Sequence, residues 1–355
     1  MTTRIAGERA VGPEIEVAST GAEAWDRYVI AHADATHAHL AGWLSVFGDA
    51  LGHETVPLVA RDASGGVAGL LPLVWVRSAV FGRYLVSMPI LDSGGPLVVP
   101  GAAPVFDALT AAAASLAHRG RADLLELRTG AAGHTGGLSA VQRKVTVTLP
   151  LPGRDALWEA LPSKVRSQIR RPQHAGYAAR FGVGERDAFH HVYARHLRDL
   201  GSPAHGRALF DVIASALAPS VEFAVVYDRS GQPVAGGCGF AFRDRFTLVW
   251  AAALRRASTD APNMLLYWSL MERAIARGLR TFDFGRCSPG SGTHRFKRQW
   301  GGVDAALTWL QWPTGARAAM PATTERRYRL ASAVWRRLPP IVTRACGPPL
   351  ARLIP

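Results

Sequence analysis

EFAVVYDRSGQPVAGGCGFAF, residues 222–242, decides how the chain is built, because its plan occurs once before. An apolar strand runs into a D-x-S-G turn, and V-A-G opens a second strand. VPLVARDASGGVAGLLPLVWV, residues 56–76, does the same. Two apolar runs flanking a Gly-containing polar turn read as a hairpin, and its recurrence marks an internal repeat. A second pair supports the first. HRGRADLLELRTG (118–130) and ARGLRTFDFGRCS (276–288) each end a helix at Arg-Gly and continue as a strand that alternates apolar with acidic residues and stops at Arg. Each half therefore runs helix, hairpin, helix, strand.

The helix before the second of these strands is well signalled. Ser258, Thr259 and Asp260 offer caps, Pro262 suits a first turn, Tyr267, Leu270, Met271, Ala274 and Ile275 form an apolar stripe, and Gly278 stops it. LPLPGRDAL (149–157) is rich in Pro and Gly and forms the junction. The expected domains are 1–150, 151–315 and a tail, 316–355. In the tail, Tyr328, Ala331, Trp335 and Leu338 fall on one helical face among Arg326, Arg327, Arg329, Arg336 and Arg337. Such a basic amphipathic helix either packs on the preceding domain or lies on an anionic membrane surface.

Composition narrows the function classes. With 355 residues, 48% of them apolar, the chain can bury substantial cores. Cys238, Cys287 and Cys346 lie far apart, which indicates neither a zinc clamp nor a disulfide framework and fits a reducing compartment. The N-terminal stretch lacks a signal-type apolar core, and GVAGLLPLVWV, the longest apolar run, is too short to span a bilayer. The expected location is cytoplasmic, with peripheral attachment to the inner membrane face as an option. Charge is uneven. Residues 1–150 hold 11 Lys and Arg against 13 Asp and Glu, whereas residues 151–355 hold 30 against 14, so the second half is the one that meets an anion.

Two basic motifs stand out. LPSKVRSQIRRPQHAG (161–176) crowds Lys164, Arg166, Arg170 and Arg171 on a short helix that Pro172 ends or kinks. Arg166 and Arg170 share a face and repel unless an anion lies between them. FDFGRCSPGSGTHRFKRQWGG (282–302) joins an apolar strand to a turn-rich loop and then to His294, Arg295, Lys297 and Trp300. Asp283, between two aromatics, is either a buried carboxylate paired with a cation such as Arg286 or a base facing a cleft. The Ser288–Gly292 loop can form an anion nest. The titratable ring, the cations and the indole together offer acid–base chemistry, phosphate binding and stacking. His32, His37 and His39, and His190, His191 and His196, approach metal-ligand spacing, but no nearby Cys or carboxylate completes a set. They read as surface or cap residues, and no metal is expected. There is no G-x-S-x-G elbow, P-loop or dinucleotide fingerprint.

In order and spacing, LPSKVRSQIRRPQHAG, APNMLLYWSLMERAIARG and FDFGRCSPGSGTHRFKRQWGG resemble the FemAB-like acyltransferases, in particular the branch found with exosortase (PEP-CTERM) and exopolysaccharide systems. The resemblance is strong over 155–312 and weaker over 20–150. It implies an α/β fold of two tandem GNAT-like domains, each a mixed, mostly antiparallel sheet flanked by helices, in keeping with the repeat. It also implies acyl or aminoacyl transfer to an amine of a cell-envelope precursor, with no bound cofactor and with aminoacyl-tRNA or acyl-coenzyme A as co-substrate. The family's F-K motif falls on Lys297 and its basic entry helix on Lys164, Arg166 and Arg170. The chain lacks the coiled-coil arm of some tRNA-using members, and RRASTDAPNM (255–264) lacks the Gly-rich loop with which GNAT enzymes hold coenzyme A.

The expected catalytic residues are Asp283, His294 and Lys297. Lys164, Arg166, Arg170, Arg286, Ser288, Arg295 and Trp300 are expected to bind substrate, a lipid-linked or nucleotide-linked phosphate, with tRNA a further partner. The alternatives are a coenzyme A-dependent N-acetyltransferase for an amino sugar or small amine, and a non-catalytic protein that binds anionic surfaces.

Overall fold

The computed structural model describes residues 3–4, 13–17, 21–78, 81–130, 133–313 and 326–354. The expected boundary at 315/316 and the side chains of Arg326, Arg327 and Tyr328 lie outside the described residues. The chain divides into two units. One comprises Met1–Arg143, Ala306–Pro321 and Arg352–Pro355, the other Lys144–Ala305 and Ala322–Ala351.

The first unit contains β1 (Glu14–Val17), α1 (Ala22–Ala31), β2 (Glu54–Arg61), β3 (Val67–Ser78), β4 (Gly82–Val86), α2 (Ala103–Arg119) and β5 (Leu124–Gly130). The strands lie in the order β1-β2-β3-β4-β5, antiparallel except for the parallel β4–β5 pair. Leu58, Leu71, Leu73 and Trp75 face Leu109, Ala113 and Ala117 of α2 in one buried cluster. Small residues on α2 let the helix approach the sheet. Gly120, which ends it, lies so near Trp75 that a Cβ there would stand 2.3 Å from the indole ring.

The second unit is built from β6 (Ser139–Pro150), whose residues from Lys144 onward belong to it, α3 (Arg154–Ala160), α4 (Ser163–His174), β7 (Ala178–Phe181), α5 (Arg186–Leu200), α6 (Arg207–Ala216), β8 (Val221–Tyr227), β9 (Pro233–Phe242), β10 (Arg245–Ala253), α7 (Pro262–Ala276), β11 (Thr281–Cys287) and α8 (Gly292–Arg298). The strand order is β6-β11-β10-β9-β8-β7, with β10–β11 the parallel pair. Successive residues of a strand point to opposite faces. A Cβ on Gly236 would meet Phe189 of α5 and one on Gly237 would meet Leu270 of α7, so these helices cover opposite faces of the sheet. Then come β12 (Val303–Pro313), α9 (Arg326–Arg337) and α10 (Pro340–Ala351). From Ala306 onward β12 belongs to the first unit, within which Thr308–Pro313 pairs antiparallel with β5.

The repeated turn is the same to the atom. Asp62 Oδ1 accepts from Ser64 N at 2.9 Å, Ser64 Oγ at 2.6 Å and Gly66 N at 2.9 Å. Asp228 Oδ1 accepts from Ser230 N, Ser230 Oγ and Gln232 N at those same distances. Around α7 the sequence reading needs correction. Ala261, at φ 53°, precedes the helix with no side-chain cap, while Ser258, Thr259 and Asp260 sit in a preceding 3₁₀ turn. Asp260 accepts instead from the Tyr177 hydroxyl at 2.8 Å. The helix has no single stripe, because nearly every residue from Met264 to Met271 is buried.

Candidate active site

The site begins where two strands part. β10 and β11 pair only over Arg245–Thr247 with Thr281–Asp283. Both continue, β10 to Ala253 against β9 and β11 to Cys287 against β6. Each is bulged at the parting. Cys238 and Gly239 of β9 face Trp250 and Leu248, so Val249 is the extra residue of β10. On β11 the register slips between Asp283 and Arg286, where Gly285 takes φ 71°. A bulge bends its strand and re-aims the residues beyond it. Two of them at one level leave backbone N–H and C=O groups along Leu248–Ala253 that β11 does not claim.

Two predicted residues act on this bulge. Asp283 is buried, and its carboxylate accepts from Thr146 Oγ1, from Gly285 N at 2.9 Å and from Arg245 at 3.3 Å. Lys297 is also buried; its Nζ donates to the carbonyls of Gly285 at 2.5 Å and Arg286 at 2.9 Å. Cation and carboxylate thus hold the bulge from both sides. The carbonyl dipoles compensate an ammonium that would otherwise be costly to bury. Ser288 accepts from Lys144 Nζ at 2.7 Å, which fixes the start of the loop, and Arg286 is half-buried on the strand itself.

A cavity of about 480 Å³ opens beside Ala253 and Leu254 at the end of β10. Its other walls are Ala261–Met264 at the start of α7, Arg295 and Gln299 of α8, and Gln168 of α4. At this helix start Pro262 has no N–H, and Ala261 N and Met264 N donate to the Ser258 and Ala261 carbonyls, so the Asn263 N–H and the positive end of the helix dipole are what the start of α7 offers. Gln168 Oε1 is buried at this wall without a hydrogen-bond partner. Ala261 holds a left-handed conformation at the helix entrance, and strain of this kind clusters at functional sites.

Other predicted residues lie elsewhere. Both nitrogens of His294 are engaged: Gly290 N donates to Nδ1 at 3.0 Å, so the proton is on Nε2, which donates to Asp304 at 3.0 Å. Arg166 reaches the carbonyls of Trp158, Glu159 and Leu161 and caps α3, while Arg170 stacks 5.2 Å from the Trp158 ring. Carbonyls and an aromatic face therefore relieve the repulsion that was expected to require an anion. Lys164 is exposed at the start of α4. Trp300 is a core residue, stacked on Tyr267 and 1% exposed. Gln168, Asn263 and Gln299 were missed, because neutral amides carry no charge pattern. The one available signal was Gln168 four residues after Lys164 on a basic helix.

The histidines follow the expectation in part: His39 serves a cap and His191 is exposed. His32, His37 and His39 are buried, not surface residues. Burial lowers the pKa of His37 to about 3 and of His39 to about 4, while Thr36 and His39 form a capping box. Among the described residues no group of His, Cys, Asp and Glu could hold a metal ion, and no helix is long and apolar enough to cross a membrane.

Residues 163–298 match a family model described as an acetyltransferase (GNAT) domain. No curated protein matches the sequence. Among solved structures, FemX is similar with a TM-score of 0.65 at 14% identity, covering 84% of this chain and 97% of FemX. A tandem GNAT protein from the clavulanic acid biosynthesis pathway gives 0.56 at 14%, covering 86% and 98%. L-PGS from Bacillus licheniformis gives 0.55 at 12%, covering 93% and 100%. The fold is GNAT-like. The parted parallel strands and the cavity at their mouth both lie within residues that bear this likeness or adjoin it.

Proposed function

We propose that the protein is a FemAB-like N-acyltransferase, moving an acyl or aminoacyl group from an activated donor to an amine of a phosphate-bearing cell-envelope precursor. The observation that carries this reading is the parting of β10 from β11 beside a cavity lined by the start of α7. An open strand edge can bind an extended, amide-bearing arm as a further strand would, and a helix N-terminus suits its phosphate. Arg295 and Arg255 line the same cavity and add charge-assisted contacts. The resemblance of the motif order to the exosortase-associated branch is what supports exopolysaccharide or peptidoglycan intermediates as acceptors.

Transfer proceeds by attack of a neutral amine on the acyl carbonyl. The amine lone pair forms the C–N bond, the carbonyl π pair moves to oxygen, and collapse expels the donor's thiolate or ribose oxygen. The amine proton passes to that leaving group through water. Fixed donors must meet the transient oxyanion, and the unclaimed N–H groups of β10 are aligned for that task. Asp283 and Lys297 act as positioning residues that fix the bulged strand. With both nitrogens engaged, His294 holds its loop.

A coenzyme A-dependent N-acetyltransferase is the second reading, favoured by the family model's description and by the cationic entrance of α7. Mass-spectrometric transfer assays with acyl-coenzyme A thioesters and aminoacyl-tRNAs, against lipid-linked and nucleotide-linked amino-sugar acceptors, separate the two. Lys297→Met is expected to lower kcat/KM by about 100-fold, the scale of losing preorganised electrostatics. Thermal melts check that it folds. Full activity in a folded Lys297→Met protein contradicts the proposal.

A further inference from the structure

A second cavity, of about 530 Å³, lies on the far side of α5 from the sheet. Its walls come from α5, the segment joining α5 to α6, and the helices α9 and α10. Arg195, Arg198, Arg207 and Arg344 line it with His190, His191 and His205, and Asp187 is the one acidic residue among them. Arg198 is spent on the Leu338 carbonyl and Arg207 on Asp187. Arg195 and Arg344 carry no such contact among the described residues. Trp335, also in the wall, has its Nε1–H buried with no acceptor. Guanidinium groups and an indole N–H are donors only, so what they can hold is an acceptor-rich anion.

The helices that close this cavity present an unusual outer face. α9 packs inward through Ser332 and Arg336, whose atoms abut Gly201, and Arg336 donates to the Leu200 carbonyl at 3.0 Å. Its opposite face turns Leu330 and Val334 to solvent, 60% and 59% exposed, and α10 adds Ile341 at 77%. Arg329, Arg337 and Arg344 are exposed beside them, and no Asp or Glu occurs after Glu325. Exposed apolar residues among cations, with no acid on the same two helices, are complementary to a surface that is apolar inside and anionic outside.

We propose that α9 and α10 dock on an anionic phospholipid surface, the cavity against α5 receiving a lipid phosphoryl group through Arg195, Arg344 and Trp335. This does not rest on the transferase reading. The test is co-sedimentation of the full chain with vesicles of phosphatidylcholine alone and of phosphatidylcholine with phosphatidylglycerol, followed by Arg195→Glu/Arg344→Glu and by Ile341→Ser/Val334→Ser. These side chains are exposed or lie at a cavity wall, and circular dichroism checks that both variants fold. The expected result is binding to the anionic vesicles only, weakened about tenfold or more by either variant, since both charge and apolar contacts contribute to interfacial binding. Equal binding to both vesicle types overturns the proposal. So does unchanged binding by folded variants. Thermal stabilisation by glycerol phosphate or by RNA without vesicle binding would also overturn it, assigning the cavity to a soluble phosphate or a nucleic acid.

Discussion

The two units carry the same strand junction, open in one and closed in the other. In the first, β4 and β5 pair in parallel over Tyr84–Val86 and Leu124–Glu126, as β10 and β11 do in the second. Beyond that point the first unit fills the gap. Ser87 N donates to the Glu126 carbonyl at 2.9 Å, Ser87 Oγ accepts from Arg128 N at 2.7 Å, and the Arg128 guanidinium reaches the carbonyls of Met88 and Leu91. Glu126 and Arg128 pair at 3.0 Å, both almost fully buried, with the Trp309 ring over the guanidinium. In the second unit β10 instead runs on to Ala253, and a cavity lies at its end. One copy of the architecture has turned its notch into structure, and the other leaves it open beside a cavity.

The largest test of this contrast removes the plug. Arg128→Met removes the cation beside the buried Glu126 carboxylate and leaves it with the Gln311 amide, a neutral donor at 2.7 Å, and breaking a buried pair in this way costs about 3–5 kcal/mol. Urea unfolding should show that loss, while transfer per folded molecule stays unchanged. A fall in transfer with stability intact would place the reacting groups in the first unit.

Acid should weaken both units, since burial also lowers the pKa of His190 and His196 in the second, but the first carries the two fully buried rings. Burial holds His37 and His39 neutral, with pKa values of about 3 and about 4 against an ordinary 6.5. A base whose folded pKa is depressed gives stability that is complete above 6.5 and lost as pH falls through the window down to about 4, because the unfolded chain takes up protons first. For His39 alone the loss from pH 7 to pH 4 is on the order of 3 kcal/mol. Trp25 Nε1 donates to the His39 carbonyl and Trp43 Nε1 to the His37 carbonyl, so tryptophan fluorescence during urea titration at several pH values reports it. His37→Phe and His39→Gln should flatten the profile.

The smallest effect sharpens the likeness. Asp62→Ala and Asp228→Ala each remove the acceptor of three matched hydrogen bonds at an exposed turn. Each should lower stability slightly, and by similar amounts, in chemical unfolding. Unequal losses would show that the two turns only look alike.

Much of this plan was legible in the sequence. The D-x-S-G turns, the Arg-Gly helix ends and the strand entering Gly285 depend on residues near one another in the chain, and local chemistry sets them. The return of Thr308–Pro313 to pair with β5 was not legible, since partners nearly two hundred residues apart leave no local period. Lys297 and Asp283 were found by type, but their direction was not, because a bulge decides it. The cavity lacks a glycine signature. Apart from Arg255 and Arg295, its walls include an Ala held at positive φ, a helix start without a side-chain cap, and uncharged amides.

The most direct measurement of the central claim is amide hydrogen exchange with acyl-coenzyme A and with aminoacyl-tRNA offered in turn. Exchange at residues 248–254 and at Asn263 and Met264 should slow with one donor, while residues 86–95 stay as they were. Slowing at 86–95, or at neither place with either donor, would contradict the assignment of the open notch as the donor site.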